Sequence, residues 1–162
     1  SLSKTFGFAG WRVGYMVTPS RLLPDLMKIQ DTNLICPPRP SQRAAMGALG
    51  VGRSYFDRHA PMLVSLRNEV LESLSHLGSL LRCVPQAEGA FYVFLDIDTH
   101  LTGLELAERL ACEYGVAVVP GEAFGMQQGC YLRVAYGAPD PDSVREGIRR
   151  LASGIRAICG RP

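Results

Sequence analysis

The N-terminal stretch Ser1-Leu2-Ser3-Lys4-Thr5-Phe6-Gly7-Phe8-Ala9-Gly10-Trp11-Arg12-Val13-Gly14-Tyr15 places a lysine just after two serines and eight residues before an arginine. An amine set among small and aromatic residues is poorly hydrated, which favours its neutral, nucleophilic form. Such an amine attacks carbonyl carbon, and its best-known use is a covalent bond to a carbonyl compound or to pyridoxal phosphate. The hydroxyls of Ser1 and Ser3 and the guanidinium fork of Arg12 suit a phosphate. Glycines at 7, 10 and 14 permit tight turns and close backbone approach. Taken by itself, Ser-x-Ser-Lys reads first as a surface loop with a solvated lysine and a paired arginine.

A second candidate is Arg133, set in the apolar run Tyr131-Leu132-Arg133-Val134-Ala135-Tyr136. An arginine fork holds a carboxylate through two parallel hydrogen bonds, and apolar neighbours strengthen the pair by excluding water. The competing reading is a structural ion pair with a nearby Asp or Glu. Arg39 lies in a segment rich in proline and is a weaker candidate, able to read an acidic group or simply to be solvated. Glu122, Tyr92 and Tyr136 have no role here beyond lining and packing.

These groups need a scaffold, and periodicity supplies one. Val13–Val17 reads as a strand closed by Pro19, and Arg21–Thr32 as a helix. Residues 33–40, with Pro37, Pro38 and Pro40, read as an extended loop. Helices follow over 41–50 and 54–76, with Pro61 marking a kink or early break in the second, and Gly78 as a stop. The remainder alternates: strands over 80–84, ending at Pro85, and 90–97, the latter apolar on both faces. A helix then runs from Thr102 or Gly103 to Gly115, and a strand covers Val116–Val119. Pro120–Gly125 is a loop and Cys130–Ala135 a strand. A last helix capped by Asp140 or Asp142 reaches Ile158. The fold class is α/β, with residues 1–40 a piece of a larger sheet domain and 41–162 a small α/β domain of two layers.

The chain has 162 residues, 47% hydrophobic and 20% charged, with a formal net charge of +2. That is ordinary for a globular domain, and the small charge argues against nucleic acid as a partner. No apolar run approaches the roughly 20 residues of a membrane span, and no stretch reads as a signal peptide. The five cysteines show no zinc or redox spacing. They are expected as reduced thiols, mostly small core residues of a cytoplasmic protein. His59, His76 and His100 stand apart, so no metal site is expected.

The full pattern, S-x-S-K followed by G-W-R-x-G-Y, resembles the cofactor-lysine motif of the class I and II aminotransferases of pyridoxal-phosphate fold type I. Gly89-Ala90-Phe91-Tyr92 resembles the small-domain strand lining the substrate entrance of that family. Val118–Gly125 resembles the loop after its small-domain helix, and Tyr131–Tyr136 the strand bearing the substrate-carboxylate arginine. The resemblance covers nearly the whole chain. It implies that Lys4 bonds to pyridoxal 5′-phosphate, that Ser1 and Arg12 bind the cofactor phosphate, and that Arg133 binds the substrate α-carboxylate. It implies amino-group transfer between an α-amino acid and a 2-oxo acid, in a homodimer whose proline-rich loop carries Arg39 toward the neighbouring active site. Other outcomes on the same scaffold are a C–S lyase or a decarboxylase, and outside catalysis a non-catalytic association module. The lysine of the family lies past the middle of a longer chain. These residues are therefore expected to be the C-terminal two-fifths of such an enzyme. The family's pyridine-nitrogen aspartate, stacking aromatic ring, O3′-contacting phenol and glycine-rich phosphate turn all precede its lysine, so the fragment is expected to be inactive alone.

Overall fold

Alternating burial defines the sheet that carries Arg133. In the computed structural model, which describes residues 1–83, 86–138 and 140–160, the strands are β1 (Tyr92–Ile97), β2 (Val119–Pro120) and β3 (Cys130–Ala135). They form an antiparallel sheet in the order β1-β3-β2. Phe94 is opposite Arg133 and Leu95 opposite Leu132. Val93, Leu95 and Ile97 of β1 and Cys130, Leu132 and Val134 of β3 all point into one core. Tyr92 and Phe94 face the other way and are exposed. The strand thus carries apolar side chains on both faces, as its sequence reads, but only the inner face is buried. An antiparallel sheet with helices on one side buries only one of its faces.

The helices are α1 (Leu2–Thr5), α2 (Leu23–Asn33), α3 (Arg39–Val51), α4 (Arg53–Ser75), α5 (Gly103–Tyr114) and α6 (Pro141–Cys159). The chain divides into two units, Ser1–Pro61 and Met62–Pro162, with the division inside α4. In the second unit, Leu66, Val70 and Leu74 of α4 join Leu106 and Leu110 of α5 and Ile148, Leu151 and Ile155 of α6 over the inner sheet face. Burying such side chains stabilises by roughly 1.5–3 kcal/mol each before chain entropy is counted. Glu69 accepts two hydrogen bonds from Arg145, at 2.7 and 3.1 Å, tying α4 to α6. These bonds hold the Glu69 carboxyl below its ordinary range.

Local chemistry sets the helix ends. Thr102 and Glu105 form a reciprocal cap on α5, and Gly115 closes it in the left-handed conformation. The Asp140 side chain accepts from the Asp142 and Ser143 amides and caps α6. Gly154 of α6 lies against α5, where an added Cβ would be 2.5 Å from Leu110 Cδ2 and 3.0 Å from the Tyr114 ring. Gly154→Val is expected to lower stability by about 1–3 kcal/mol, as overpacked cores do. Chemical denaturation of the 162-residue chain checks this, and an unchanged midpoint would contradict the close packing.

Several expectations are corrected. Val13–Val17 forms no strand; Tyr15, Met16 and Val17 are exposed in irregular backbone. Alternation makes a strand only where another strand can pair, and among the described residues of the first unit there is none. Val116–Val119 shrinks to Val119–Pro120, where pairing with β3 begins. Leu81 makes only an isolated bridge to Ile97 in place of a strand over 80–84, while Val84 and Pro85 lie outside the described residues. Residues 39 and 40 open α3 with Pro40 in its first turn, where the missing N–H costs nothing. Helix α4 continues unbroken through Pro61. The Pro120–Gly125 loop contains a short 3-10 turn, Gly121–Phe124.

The cysteines are also redistributed. Cys36, Cys83 and Cys112 are exposed, Cys159 is half-buried, and only Cys130 is buried. Burial pushes the Cys130 thiol up to about 12 and raises that of Cys159. A thiol labels through its thiolate. In the native 162-residue chain, Cys36, Cys83 and Cys112 should therefore label quickly with iodoacetamide at pH 8, and Cys130 only after denaturation. Peptide mass mapping checks this, and rapid native labelling of Cys130 would contradict the burial.

Candidate active site

Residues 1–15 fold into a short, closed segment of the first unit. Ser1 caps α1, its Oγ accepting from the Ser3 amide at 3.3 Å. Leu2 is the buried anchor, and Lys4 sits exposed on the last turn of α1. Gly7 takes a positive φ of 67°, and an added Cβ there would be 3.7 Å from the Tyr55 hydroxyl. Phe6 packs on Tyr55 with ring centroids 5.4 Å apart, and Phe8 on Trp11 at 5.8 Å. An added Cβ on Gly14 would be 3.7 Å from Ser1 Cα. The end of the motif therefore returns to its beginning.

Arg12 stands between these points in the left-handed region, with φ 50° and ψ 46°. A residue with a Cβ pays roughly 1–3 kcal/mol for such a backbone, and outliers of this kind gather at functional sites. Its Nη1 donates to the Ala9 carbonyl at 2.9 Å. A guanidinium has five N–H donors, so most of the fork remains for a ligand. The donor set of this segment is a hydroxyl, an amine and a guanidinium. Chemically such a set fits pyridoxal phosphate: an amine can bond to its aldehyde carbon, and hydroxyl and guanidinium donors suit its phosphate.

Arg133 lies in the second unit, on the outward face of β3. Its guanidinium carbon is 4.8 Å from the Phe124 ring centroid and 5.3 Å from that of Tyr92. Its Nε is buried and makes no hydrogen bond. Among the described residues no carboxylate lies within 4.0 Å of it, whereas Arg82, Arg109, Arg145, Arg149 and Arg150 all have acidic partners. The neighbouring acid, Asp96, is engaged by Arg82: its Oδ1 is 3.4 Å from Arg82 Nη1, in ion-pair range without hydrogen-bond geometry. Ser1, Lys4 and Arg12 thus share one unit, and Arg133 belongs to the other. Arg39 is exposed on the first turn of α3.

Sequence reasoning missed three contributors here. Phe124 and Tyr92 flank Arg133, and Glu122 accepts a hydrogen bond from the Leu104 amide at 3.3 Å, fastening the Phe124 turn to α5. The Pro-Gly-Glu-Ala-Phe-Gly spacing was visible, but ring placement depends on a register between distant strands. A cleft of about 230 Å³ lies nearby, lined by residues 116–119, residues 133–135 and the first turns of α6. Among the described residues, Arg133 is the one charged residue in its lining.

The family profile for aminotransferase class I and II matches residues 1–151, and the chain belongs to that family. It is 36% identical over 162 residues to the aromatic aminotransferase ISS1 of Arabidopsis thaliana, covering 98% of this chain and 40% of that protein. It is also 36% identical to an aspartate aminotransferase of Pyrococcus abyssi, covering 95% and 39%. Among solved structures, the aromatic aminotransferase of Pyrococcus horikoshii superposes with a TM-score of 0.80 at 34% identity, over 96% of this chain and 42% of that one. A Thermus thermophilus aspartate aminotransferase variant gives 0.80 at 29% identity, over 94% and 39%. The fold is thus that of fold type I aminotransferases, and the chain spans about 40% of the relatives it matches. No described helix is long and apolar enough to cross a membrane.

Proposed function

We propose that this chain carries the cofactor lysine and the substrate-carboxylate arginine of a pyridoxal-phosphate-dependent aminotransferase. The observation that carries the reading is Arg133: a half-buried cation whose Nε is unpaired, with no acidic partner among the described residues. A partly buried guanidinium left without an anion among the described residues is poised to accept one, and an α-carboxylate is the anion every amino acid and 2-oxo acid presents.

When bound, pyridoxal phosphate supplies an electron sink for the charge left at the substrate α-carbon. Ser1 Oγ and the Arg12 guanidinium would donate to its phosphate. Lys4 Nζ would hold it covalently and, once the substrate amine has displaced it, would take the substrate α-proton as a base and return it as an acid. Arg133 grips the carboxylate through its two Nη atoms and fixes the orientation of the substrate. The substrates are an α-amino acid and a 2-oxo acid. The aromatic and aspartate enzymes among the relatives make both side-chain classes candidates, and Arg39 is the residue that would read an acidic one. In this reading residues 1–40 belong to the large cofactor-binding domain and 41–162 to the small domain. The enzyme is a cytoplasmic homodimer.

The same reading predicts that the 162 residues alone do not transaminate, because the family's contacts to the cofactor ring precede its lysine. Assay of oxo-acid formation, with borohydride fixation of pyridoxal phosphate and peptide mass mapping, tests this. The expected result is weak labelling and no turnover. Stoichiometric labelling of Lys4 at micromolar cofactor, with turnover, would overturn the prediction. In the holoenzyme, product analysis with single amino acids tests the reaction itself. A 2-oxo acid formed one-for-one with a new amino acid supports transfer. Release of a thiol or carbon dioxide would assign a lyase or decarboxylase instead.

A further inference from the structure

We propose that Phe124 and Tyr92 are positioning residues that clamp the Arg133 guanidinium by its faces and leave its Nη edge free for a carboxylate. The proposal rests on the reading of Arg133 as the carboxylate ligand.

An arginine side chain has several free torsions, and one without an acid to hold it samples many rotamers. Here the guanidinium lies 4.8 Å from the Phe124 ring centroid and 5.3 Å from that of Tyr92, within the range where a ring face attracts a cation. Ring faces hold the group without occupying its N–H donors, which an acidic partner would do. They also cover part of the guanidinium, whose Nε is buried, and lower local polarity strengthens its attraction for an incoming carboxylate.

Both rings are themselves braced, although they are exposed to 48% and 42% and so are not core residues. Phe124 meets Phe94 edge-on at 5.9 Å, and Phe94 stacks on Tyr131 at 5.5 Å. Phe94 is the register partner of Arg133, which places this row of rings directly beside the cation. The turn bearing Phe124 is fastened by Glu122 to the start of α5. It is seated so closely that a Cβ on Gly121 would be 2.5 Å from Tyr131 Cβ. Tyr92 follows a turn at Ala90 with φ 63°. The buried Tyr136 hydroxyl donates to the Ala90 carbonyl at 3.3 Å, and the Tyr136 amide to the Phe91 carbonyl at 2.8 Å. Two anchored turns thus hold two exposed rings on one cation that has no acidic partner among the described residues, which is the arrangement a preorganised anion site requires.

The test is calorimetric titration of the holoenzyme with two monocarboxylates, 3-phenylpropanoate and butanoate. Phe124→Leu is expected to weaken both about tenfold and equally, and Phe124→Tyr to stay within about twofold of wild type. Tyr92→Leu provides a second variant with a loss of about fivefold, and Arg133→Gln should abolish binding of both. Wild-type affinity in Phe124→Leu and Tyr92→Leu, with binding lost in Arg133→Gln, overturns the clamp and leaves the carboxylate reading standing. A loss in Phe124→Leu confined to 3-phenylpropanoate also overturns the clamp, because the ring would then touch the ligand's phenyl group. So does failure of Phe124→Tyr to restore binding. Undiminished binding in Arg133→Gln removes the carboxylate reading and the clamp together.

Discussion

In the holoenzyme, Lys4→Ala is expected to lower turnover by at least about 10⁴-fold, since it removes both a covalent attachment and a general acid–base group. The fold should not suffer. Lys4 is exposed, and α1 is secured by the buried Leu2 and by the Ser1 cap, neither of which the substitution touches. Far-ultraviolet circular dichroism and the thermal midpoint should therefore match wild type while oxo-acid formation disappears. A variant that turns over within tenfold of wild type would remove Lys4 from the chemistry. The Ser-x-Ser-Lys pattern would then be an ordinary helix start.

Arg133→Ala is expected to raise KM strongly and to lower kcat/KM in the holoenzyme. Removing one partner of a desolvated charge pair costs about 2–5 kcal/mol, which corresponds to a loss of roughly 30-fold to several thousand-fold. The prediction discriminates because the competing role, a structural ion pair, has no acidic partner here among the described residues. Loss of a structural pair would lower stability and spare KM. Loss of a carboxylate ligand leaves the inner sheet face intact, since Arg133 projects from the outward face beside exposed Phe94 and Tyr92. Steady-state kinetics with a carboxylate substrate, run beside thermal unfolding, separate the two. Unchanged kinetics with a lowered midpoint would return Arg133 to a structural role.

Elements that depend on near neighbours were legible in the residues. Helix α5 was readable because Thr102, Glu105 and Gly115 supply its start and stop locally. β3 was readable because Cys130, Leu132 and Val134 alternate against a polar turn. The family was legible for a different reason: the residue types and spacing of residues 1–15 are unusual, and the family match covers residues 1–151. The misread strands share one cause. Val13–Val17 and Val116–Val118 have strand composition, but a strand is a relation between two backbones, and composition does not supply the second one.

By itself, the sequence determined most helical periods, the caps of α5 and α6, the alternation of β3, and a short list of groups able to do amine, phosphate and carboxylate chemistry. Each of these follows from contacts a few residues apart along the chain. Only the tertiary structure decided which face of β1 is exposed, that Arg133 has aromatic faces and no acidic partner among the described residues, and that Glu122 and Tyr136 brace the turns carrying those rings. These depend on pairings such as Phe94 with Arg133, Glu122 with Leu104 and Tyr136 with Ala90. Strand register and packing bring such residues together, and no local preference of either segment encodes that meeting.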